Sequence, residues 1–146
     1  MRKYINLIFV GIAILLLGTS CEHSKNPYHS PKSITKAFAE SLYTGKFDEA
    51  KQYVTPESIP IINFYKHAFP PENFKGCEHI GMGEITVRKI SDSTALCKCI
   101  VTLCNGKSNN SNTKVVKRDG KWYVTLRESE SEKKEKAKEQ IEKLNN

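Results

Sequence analysis

The chain of 146 residues lacks several features that mark catalytic and nucleic-acid-binding proteins. Its Lys and Arg residues are spread thinly and form no cluster interleaved with aromatic side chains, which argues against a nucleic-acid partner. It has no recognisable Ser-His-Asp or paired-carboxylate arrangement. Its cysteines do not form the paired C-x-x-C knuckles that are typical of structural zinc sites. We therefore expect neither an enzyme nor a bound cofactor.

The N-terminus carries the pattern of an export signal. The basic pair Arg2-Lys3 precedes an apolar run over residues 7–17, and the small residues 18–20 lead directly into Cys21. Basic, apolar and small-residue regions in this order are typical of a secretory signal peptide. A cysteine directly after the small residues resembles a bacterial lipobox, in which that cysteine becomes the lipid-carrying N-terminus of the mature protein.

Cys21 is therefore the predicted lipidation site, with palmitate among the expected acyl chains, and the lipid is the predicted contact with the membrane. Two alternatives remain open, an uncleaved transmembrane anchor and a plainly secreted protein. The apolar run is short for a membrane span of about 20 residues, which favours the lipoprotein. We expect a location in the cell envelope, periplasmic or surface-exposed, with the outer membrane favoured over the inner.

These features divide the chain into four parts. Removal of the signal leaves about 125 residues, which is enough for one domain with a modest core. The last part is predicted to be a charged helix with a narrow apolar stripe that docks loosely at best. The four parts are a lipoprotein signal peptide (1–20), a tether (21–29), a folded domain (30–126) and a charged helical tail (127–146).

Helical periodicity dominates the first half of the folded domain. Apolar residues at helical spacing, together with capping residues, predict three helices. The first opens at Ser30 and ends at Gly45, and a short second helix spans Phe47–Val54. The third opens at Ser58, stops before Pro70 and is expected to be largely buried.

The second half of the domain alternates between apolar and polar residues, which predicts antiparallel strands. Glu84–Ile90 and the longer Thr94–Cys104 are the first two strands, joined by a turn. Asn105–Asn112 is predicted to be a loop because it is rich in Asn, Ser and Gly. A hairpin with an Asp-Gly turn follows over residues 113–126.

Three segments resemble small Gram-negative lipoproteins of unknown function with a nuclear transport factor 2-like, cystatin-like domain related to lumazine-binding-like domains. The segments read S-P-K-S-I-T-K-A-F-A-E-S-L-Y-T-G-K-F-D-E-A-K-Q-Y-V, T-P-E-S and K-V-V-K-R-D-G-K-W-Y-V, and the resemblance covers residues 30–126. It implies an α+β fold, in which N-terminal helices pack on a curved antiparallel sheet to form a cone that can hold a pocket. It implies no reaction.

Four cysteines remain when Cys21 is assigned to the lipid. Closing the turn at residues 91–93 places Val87 opposite Cys97 and Ile85 opposite Cys99. This register gives neither of these two cysteines a cysteine neighbour across the hairpin and puts both on the inner face of the sheet. We expect them to be buried thiols that act as small apolar residues.

The other two cysteines, Cys77 and Cys104, form the preferred disulfide, on the basis of an oxidising compartment more than of geometry. Their positions have opposite parity in the predicted register, so the bridge requires a bend in the glycine-rich segment between them. The alternative is a metal site for zinc or cuprous copper, with Cys77, His79, Cys97 and Cys99 as four soft ligands. The register separates the two pairs and therefore disfavours it.

An enzymatic alternative comes from the fold resemblance alone. Enzymes of this fold class, such as ketosteroid isomerase-like proteins, place a carboxylate base and a proton donor inside the cone. The resemblance implies Tyr43, Tyr65 or His67 as candidates from the helices, with a carboxylate from the sheet. The inner face of the predicted sheet carries no Asp or Glu.

The predicted turn after the first strand carries a second candidate modification site. Asp92-Ser93-Thr94 resembles a three-residue O-glycosylation sequon used on exported proteins of some Gram-negative bacteria. Ser93 is the predicted acceptor. The alternative is that Asp92 serves only to form the turn.

The predicted function is that of a membrane-anchored envelope lipoprotein that binds a small ligand or another envelope protein without catalysis. The alternative is a small isomerase- or hydrolase-type enzyme that uses the cone pocket. A cone interior filled by large apolar side chains favours a protein partner, whereas an open cavity with polar groups favours a ligand. The interior side chains concerned are those of Phe38, Leu42, Phe69 and Trp122.

Overall fold

The computed structural model describes residues 26–128. The predicted signal peptide, the lipidation site Cys21 and nearly all of the predicted tail lie outside these residues. The helices are α1 (Pro31–Tyr43), α2 (Phe47–Ala50) and α3 (Ile59–Ala68), with 3-10 turns at Pro27–His29, Lys51–Tyr53, Pro56–Ser58 and Pro71–Phe74. The strands are β1 (Gly81–Met82), β2 (Thr86–Ser91), β3 (Thr94–Thr102), β4 (Ser108–Arg118) and β5 (Lys121–Thr125).

Helix α1 begins and ends where the sequence predicts. The Ser30 hydroxyl caps the helix by accepting a hydrogen bond from the Ser33 amide at 3.1 Å. At the other end the Thr44 hydroxyl donates to the Glu40 carbonyl at 2.6 Å. Gly45 follows with a φ of 76°, a left-handed conformation that glycine adopts without strain.

The other two helices differ from the prediction. Helix α2 is α-helical over four residues, and the 3-10 turn Lys51–Tyr53 continues it directly. Only Val54 departs from the predicted helical span, because it is extended and forms a parallel bridge with Val124 of β5. Helix α3 is not largely buried: only Ile62 is fully buried, while Phe64 and Phe69 are 65% and 47% exposed. Helix α1 rather than α3 covers the sheet, so most of α3 faces outward, including its polar residues Asn63, Lys66 and His67.

The sheet is antiparallel throughout, with the order β1-β3-β4-β5 and with β2 also paired to β3. The predicted register of the first hairpin is confirmed, since Val87 lies opposite Cys97. At its tip a bulge places Ser91, instead of the predicted Ile90, opposite Thr94. Val87 is 42% exposed because β2 has a strand on one side only within the described residues.

The loop predicted over Asn105–Asn112 is wrong for most of its length. Strand β4 begins at Ser108, and its first five residues pair with β3 from Thr102 to Lys98. Backbone pairing to a long neighbouring strand does not depend on the side chains, so an Asn-rich and Ser-rich segment with low strand propensity can still extend the sheet. Strand β3 ends at Thr102, which pairs with the first residue of β4, and not at the predicted Cys104.

The last hairpin follows the sequence prediction. Asp119 and Gly120 have φ values of 50° and 76°, as a two-residue type I′ turn requires, and Arg118 pairs with Lys121. On β5, Trp122 and Val124 are buried on the same face, as the alternation predicts.

The core lies between α1 and the inner face of the sheet. Ile34 and Phe38 of α1 are buried together with inner-face residues of β3, β4 and β5 and with Ile85, which directly precedes β2. The predicted α+β class, with N-terminal helices packed on an antiparallel sheet, is therefore confirmed. Among the described residues, none of the helices is long and apolar enough to cross a membrane. The buried sheet residues are Ile85, Ala95, Cys97, Cys99, Val101, Val115, Trp122 and Val124.

Candidate ligand-binding groove

An open groove with a volume of about 290 Å³ lies where the C-terminal end of α1 meets α2 and α3. Five of its six lining side chains are aromatic and none of them carries a charge at neutral pH. We call it the aromatic groove. Its lining residues are Leu42, Tyr43, Phe47, Tyr65, Phe69 and Phe74.

One wall of the aromatic groove comes from α3. Tyr65 lies on α3 and Phe69 follows its last residue, with the Phe69 amide donating to the Tyr65 carbonyl at 2.9 Å and the two ring centroids 6.2 Å apart. The Phe64 ring also lies beside Tyr65, at 6.1 Å, but it does not line the groove. The groove therefore has an aromatic rim that is accessible from solvent at Phe69.

The opposite wall comes from the 3-10 turn Pro71–Phe74. The Phe74 ring packs edge-on against Phe47, with centroids 5.5 Å apart. It also lies so close to Gly45 that a Cβ atom at that position would be 2.6 Å from the ring. Gly45 therefore serves two purposes, because it ends α1 and leaves room for the Phe74 ring.

Two phenol groups give the aromatic groove its polar character. Burial raises the pKa of Tyr43, and the nearby Ser111 hydroxyl partly opposes that rise. The phenol is therefore neutral at physiological pH and can both donate and accept a hydrogen bond. Tyr65 supplies a second phenol near the first. The groove can thus hold an apolar, flat molecule and hydrogen-bond to it without contributing a charge.

An ion-pair cluster joins the two helices beside the groove. The Asp48 carboxylate of α2 accepts hydrogen bonds from Lys66 Nζ of α3 at 2.7 Å and from Lys51 Nζ at 2.9 Å. Hydrogen bonds from Lys66 and then from Lys51 lower the pKa of Asp48 to about 2. The cluster links α2 to α3 beside Phe47 and Phe69.

Replacing Asp48 with Asn is expected to lower the melting temperature slightly at neutral pH and low salt. The pKa of Asp48 in the folded state, about 2, lies below its ordinary value of 3.8. The ion pairs therefore stabilise the fold fully above pH 3.8, and this stabilisation is lost as the pH falls through 2. The effect is small because the carboxylate is exposed. Calorimetry should find a difference between the two proteins at neutral pH that shrinks as the pH falls towards 2 and vanishes below it, and a difference as large at pH 2 as at neutral pH would contradict the assignment.

Cys77 and Cys104 form a disulfide in the structure, with their Cα atoms 5.4 Å apart. The parity problem in the predicted register does not arise, because Cys104 lies beyond the end of β3 and Cys77 lies in an irregular segment. The disulfide lines a second cavity of about 320 Å³, which shares Tyr43 and Phe74 with the aromatic groove.

The four ligands of the alternative metal site are not brought together. Cys77 is bonded to Cys104, and His79 is exposed. Cys97 and Cys99 are free, buried thiols, as predicted, and burial raises the pKa of both. In residues 26–128, no group of three or more His, Cys, Asp or Glu side chains is placed to hold a metal ion.

The structure separates the residues named for an enzymatic site. Tyr43 and Tyr65 both line the aromatic groove, whereas His67 lies on an exposed part of α3. None of the six groove-lining residues is an Asp or a Glu. Of the four side chains expected in the interior, Leu42 and Phe69 line the groove, and Phe38 and Trp122 belong to the core.

Sequence reasoning missed two walls of the groove, Phe47 and Phe74. The sequence predicts Phe47 only as the first residue of the short second helix. Phe74 lies in a segment without helical or strand periodicity, so pattern alone gives it no partner. The one available signal was Gly45, whose lack of a side chain permits the close approach of another residue.

The predicted glycosylation site is on the turn between β2 and β3. Ser93 is exposed there, and its backbone amide donates to the Ser91 hydroxyl at 3.3 Å. The hydroxyl of Ser93 is accessible on a turn, as an acceptor must be. Modification at this position stays a prediction.

No protein-family model matches this chain, and no curated protein matches it. A solved structure from Campylobacter jejuni, of a protein provisionally named an NTF2-like transpeptidase, is similar to it. The two are 22% identical, the match covers 67% of this chain and 99% of that chain, and the TM-score is 0.48. The order of helices followed by an antiparallel sheet in the present chain agrees with the α+β fold that the sequence resemblance implied.

Proposed function

We propose that this chain is a lipid-anchored envelope protein whose aromatic groove binds a small, neutral, flat ligand without catalysing a reaction on it. The observation that carries the proposal is the groove itself, which has five aromatic side chains and no charged one. Its volume of about 290 Å³ is close to the lower end of known ligand sites, which suits a ligand of one to three rings.

An open cavity with polar groups was the feature expected of a ligand-binding protein. Phe38 and Trp122 are buried in the core, which is the filled interior expected for a protein partner. Leu42 and Phe69 instead line an open groove, whose polar side chains are Tyr43 and Tyr65. An isomerase- or hydrolase-type reaction of the ketosteroid isomerase kind needs a carboxylate base beside the substrate. None of the groove-lining residues provides one, so binding is the better-supported function.

A matched pair of substitutions on α3 tests the groove. Phe69→Ser is expected to weaken the binding of the neutral fluorescent probe phenylnaphthylamine by about tenfold, because it removes a partly buried ring from the rim. Phe64→Ser removes the same ring from the same helix, at a position that is more exposed and does not line the groove. The control variant should therefore change the dissociation constant by less than about twofold.

Fluorescence titration of both variants gives the two dissociation constants. Equal losses of probe affinity in the two variants would show that the probe binds the exposed surface of α3 and not the groove. A wild-type chain that bound neither the probe nor any member of a panel of small aromatic metabolites would remove the basis of the proposal.

The lipid anchor rests on the N-terminal sequence, and a mass measurement tests it. Protein extracted from the membrane with detergent is expected to begin at Cys21 and to carry acyl chains there. Cys21→Ser should lose the acyl mass, while Cys99→Ser should keep it. An unacylated wild-type protein would contradict the anchor.

A further mass increment on the peptide that contains Ser93, abolished by Ser93→Ala, is the expected sign of glycosylation.

A further inference from the structure

The wall that Phe74 contributes to the aromatic groove is part of a short segment with its own internal hydrogen bonds. The Asn73 amide donates to the Pro70 carbonyl at 3.0 Å, and the Cys77 amide donates to the Phe74 carbonyl at 2.9 Å. The Phe74 ring fits against Gly45 and Phe47. We call residues 70–77 the wall segment.

The disulfide cross-links the wall segment to the chain just beyond β3, in addition to the chain connection from Cys77 to β1. Cys77 follows Phe74 by three residues, and its partner Cys104 comes two residues after the end of β3. The two cysteines differ in exposure, since Cys104 is an exposed residue and Cys77 is half-buried. The Cys77 Sγ lies 3.6 Å from the carbonyl oxygen of Tyr43, a residue that also lines the groove. An attacking thiolate therefore reaches Cys104 more easily than Cys77.

We propose that the Cys77–Cys104 disulfide is a redox latch that holds the Phe74 wall in place and so controls ligand binding in the aromatic groove. The inference rests on the proposed function, because it concerns the regulation of the same groove. While the disulfide is intact, the Phe74 ring is fixed against Gly45 and Phe47. After reduction, only the noncovalent contacts of the segment and its chain connections to α3 and β1 hold the wall, so the wall becomes less rigid.

The reductant that the latch requires is a dithiol, such as the active-site pair of a thiol-disulfide oxidoreductase of the envelope. One thiolate of the dithiol attacks Sγ of Cys104, the Cys77–Cys104 bond breaks, and Cys77 leaves as a thiolate that takes up a proton. The second thiolate of the dithiol then attacks the first sulfur of the dithiol, which is bonded to Cys104 in the mixed disulfide. Cys104 is released as a thiolate and is also protonated. The chain gains two electrons and two protons, and the dithiol becomes a disulfide.

Two measurements on the purified mature chain, with and without dithiothreitol, test the latch. The core residues lie within residues 34–124, so a chain that begins after the signal peptide keeps all of them. Reduction is expected to weaken phenylnaphthylamine binding by about tenfold, the effect of losing one aromatic wall. It should also speed hydrogen exchange in the wall segment by a larger factor than in β3 and β4, whose exchange changes only through the loss of global stability.

Two variants serve as controls for the experiment with dithiothreitol. Cys77→Ser combined with Cys104→Ser should bind the probe as weakly as the reduced wild type and should not respond to dithiothreitol. Gly45→Ala leaves the disulfide intact but places a Cβ atom 2.6 Å from the Phe74 ring, so it should weaken binding without any reduction. This second variant remains informative if the cysteine variant fails to fold.

The outcomes separate the latch from the proposed function. Equal affinities in the oxidised and reduced chains, or unchanged exchange in the wall segment, would show that the disulfide is purely a stabilising cross-link. Failure of the oxidised chain to bind the probe would refute the ligand site, and the exchange measurement would then still decide whether the disulfide holds the wall segment.

Discussion

Replacing Cys77 and Cys104 together with serine is expected to lower the free energy of unfolding by about 3.5 kcal/mol. The two cysteines are 27 residues apart in sequence, and a cross-link over a loop of this length removes many conformations from the unfolded chain. The loss is a large share of the roughly 5–15 kcal/mol that stabilises a typical domain. Urea unfolding followed by the fluorescence of Trp122, the one tryptophan of the chain, would measure it.

Reduced wild-type protein is the control for this substitution, because it loses the cross-link but keeps both sulfur atoms. Its stability should match that of the double variant to within about 1 kcal/mol. A double variant that was as stable as the oxidised wild type would contradict a cross-link between these positions. A variant much less stable than the reduced wild type would show that the serine hydroxyls themselves disturb the packing.

Ile34→Ala is expected to cost about 3–4 kcal/mol of unfolding free energy. Ile34 is fully buried at the centre of the contact between α1 and the sheet. Truncation removes apolar contacts and leaves a cavity that a helix packed on a rigid sheet cannot fill by moving. Urea unfolding at constant m-value would give the change directly.

Ile90→Ala is the matched control for this prediction. The same side chain is removed, but Ile90 is 55% exposed at the tip of the first hairpin. The expected loss is less than about 1 kcal/mol, mainly from strand propensity. Similar losses in the two variants would contradict the placement of α1 on the inner face of the sheet.

The parts of the fold that the sequence predicts are those that local chemistry determines. Ser30 begins α1 and Gly45 ends it because capping depends on the residues themselves. The Asp119-Gly120 turn and the register of Val87 opposite Cys97 follow from turn chemistry and alternation in the same way.

The parts that the sequence does not predict depend on tertiary contacts. The Asn-rich start of β4 is a strand because β3 lies beside it, and α3 is exposed because α1 occupies the sheet. The aromatic groove shows the same limit. Tyr43 and Tyr65 are recognisable as candidates from the fold resemblance, but Phe74 joins them only because Gly45 leaves space for its ring.

The position of the ligand site is the central claim, and mapping of amide chemical shifts during a phenylnaphthylamine titration tests it most directly. The predicted result is that the shifts are confined to the ends of α1 and α3 that carry Tyr43 and Phe69 and to the turn at Phe74. The outer face of the sheet around Lys98 and Asn112 should not change. Shifts concentrated on that outer face, or none at saturating probe, would contradict the account.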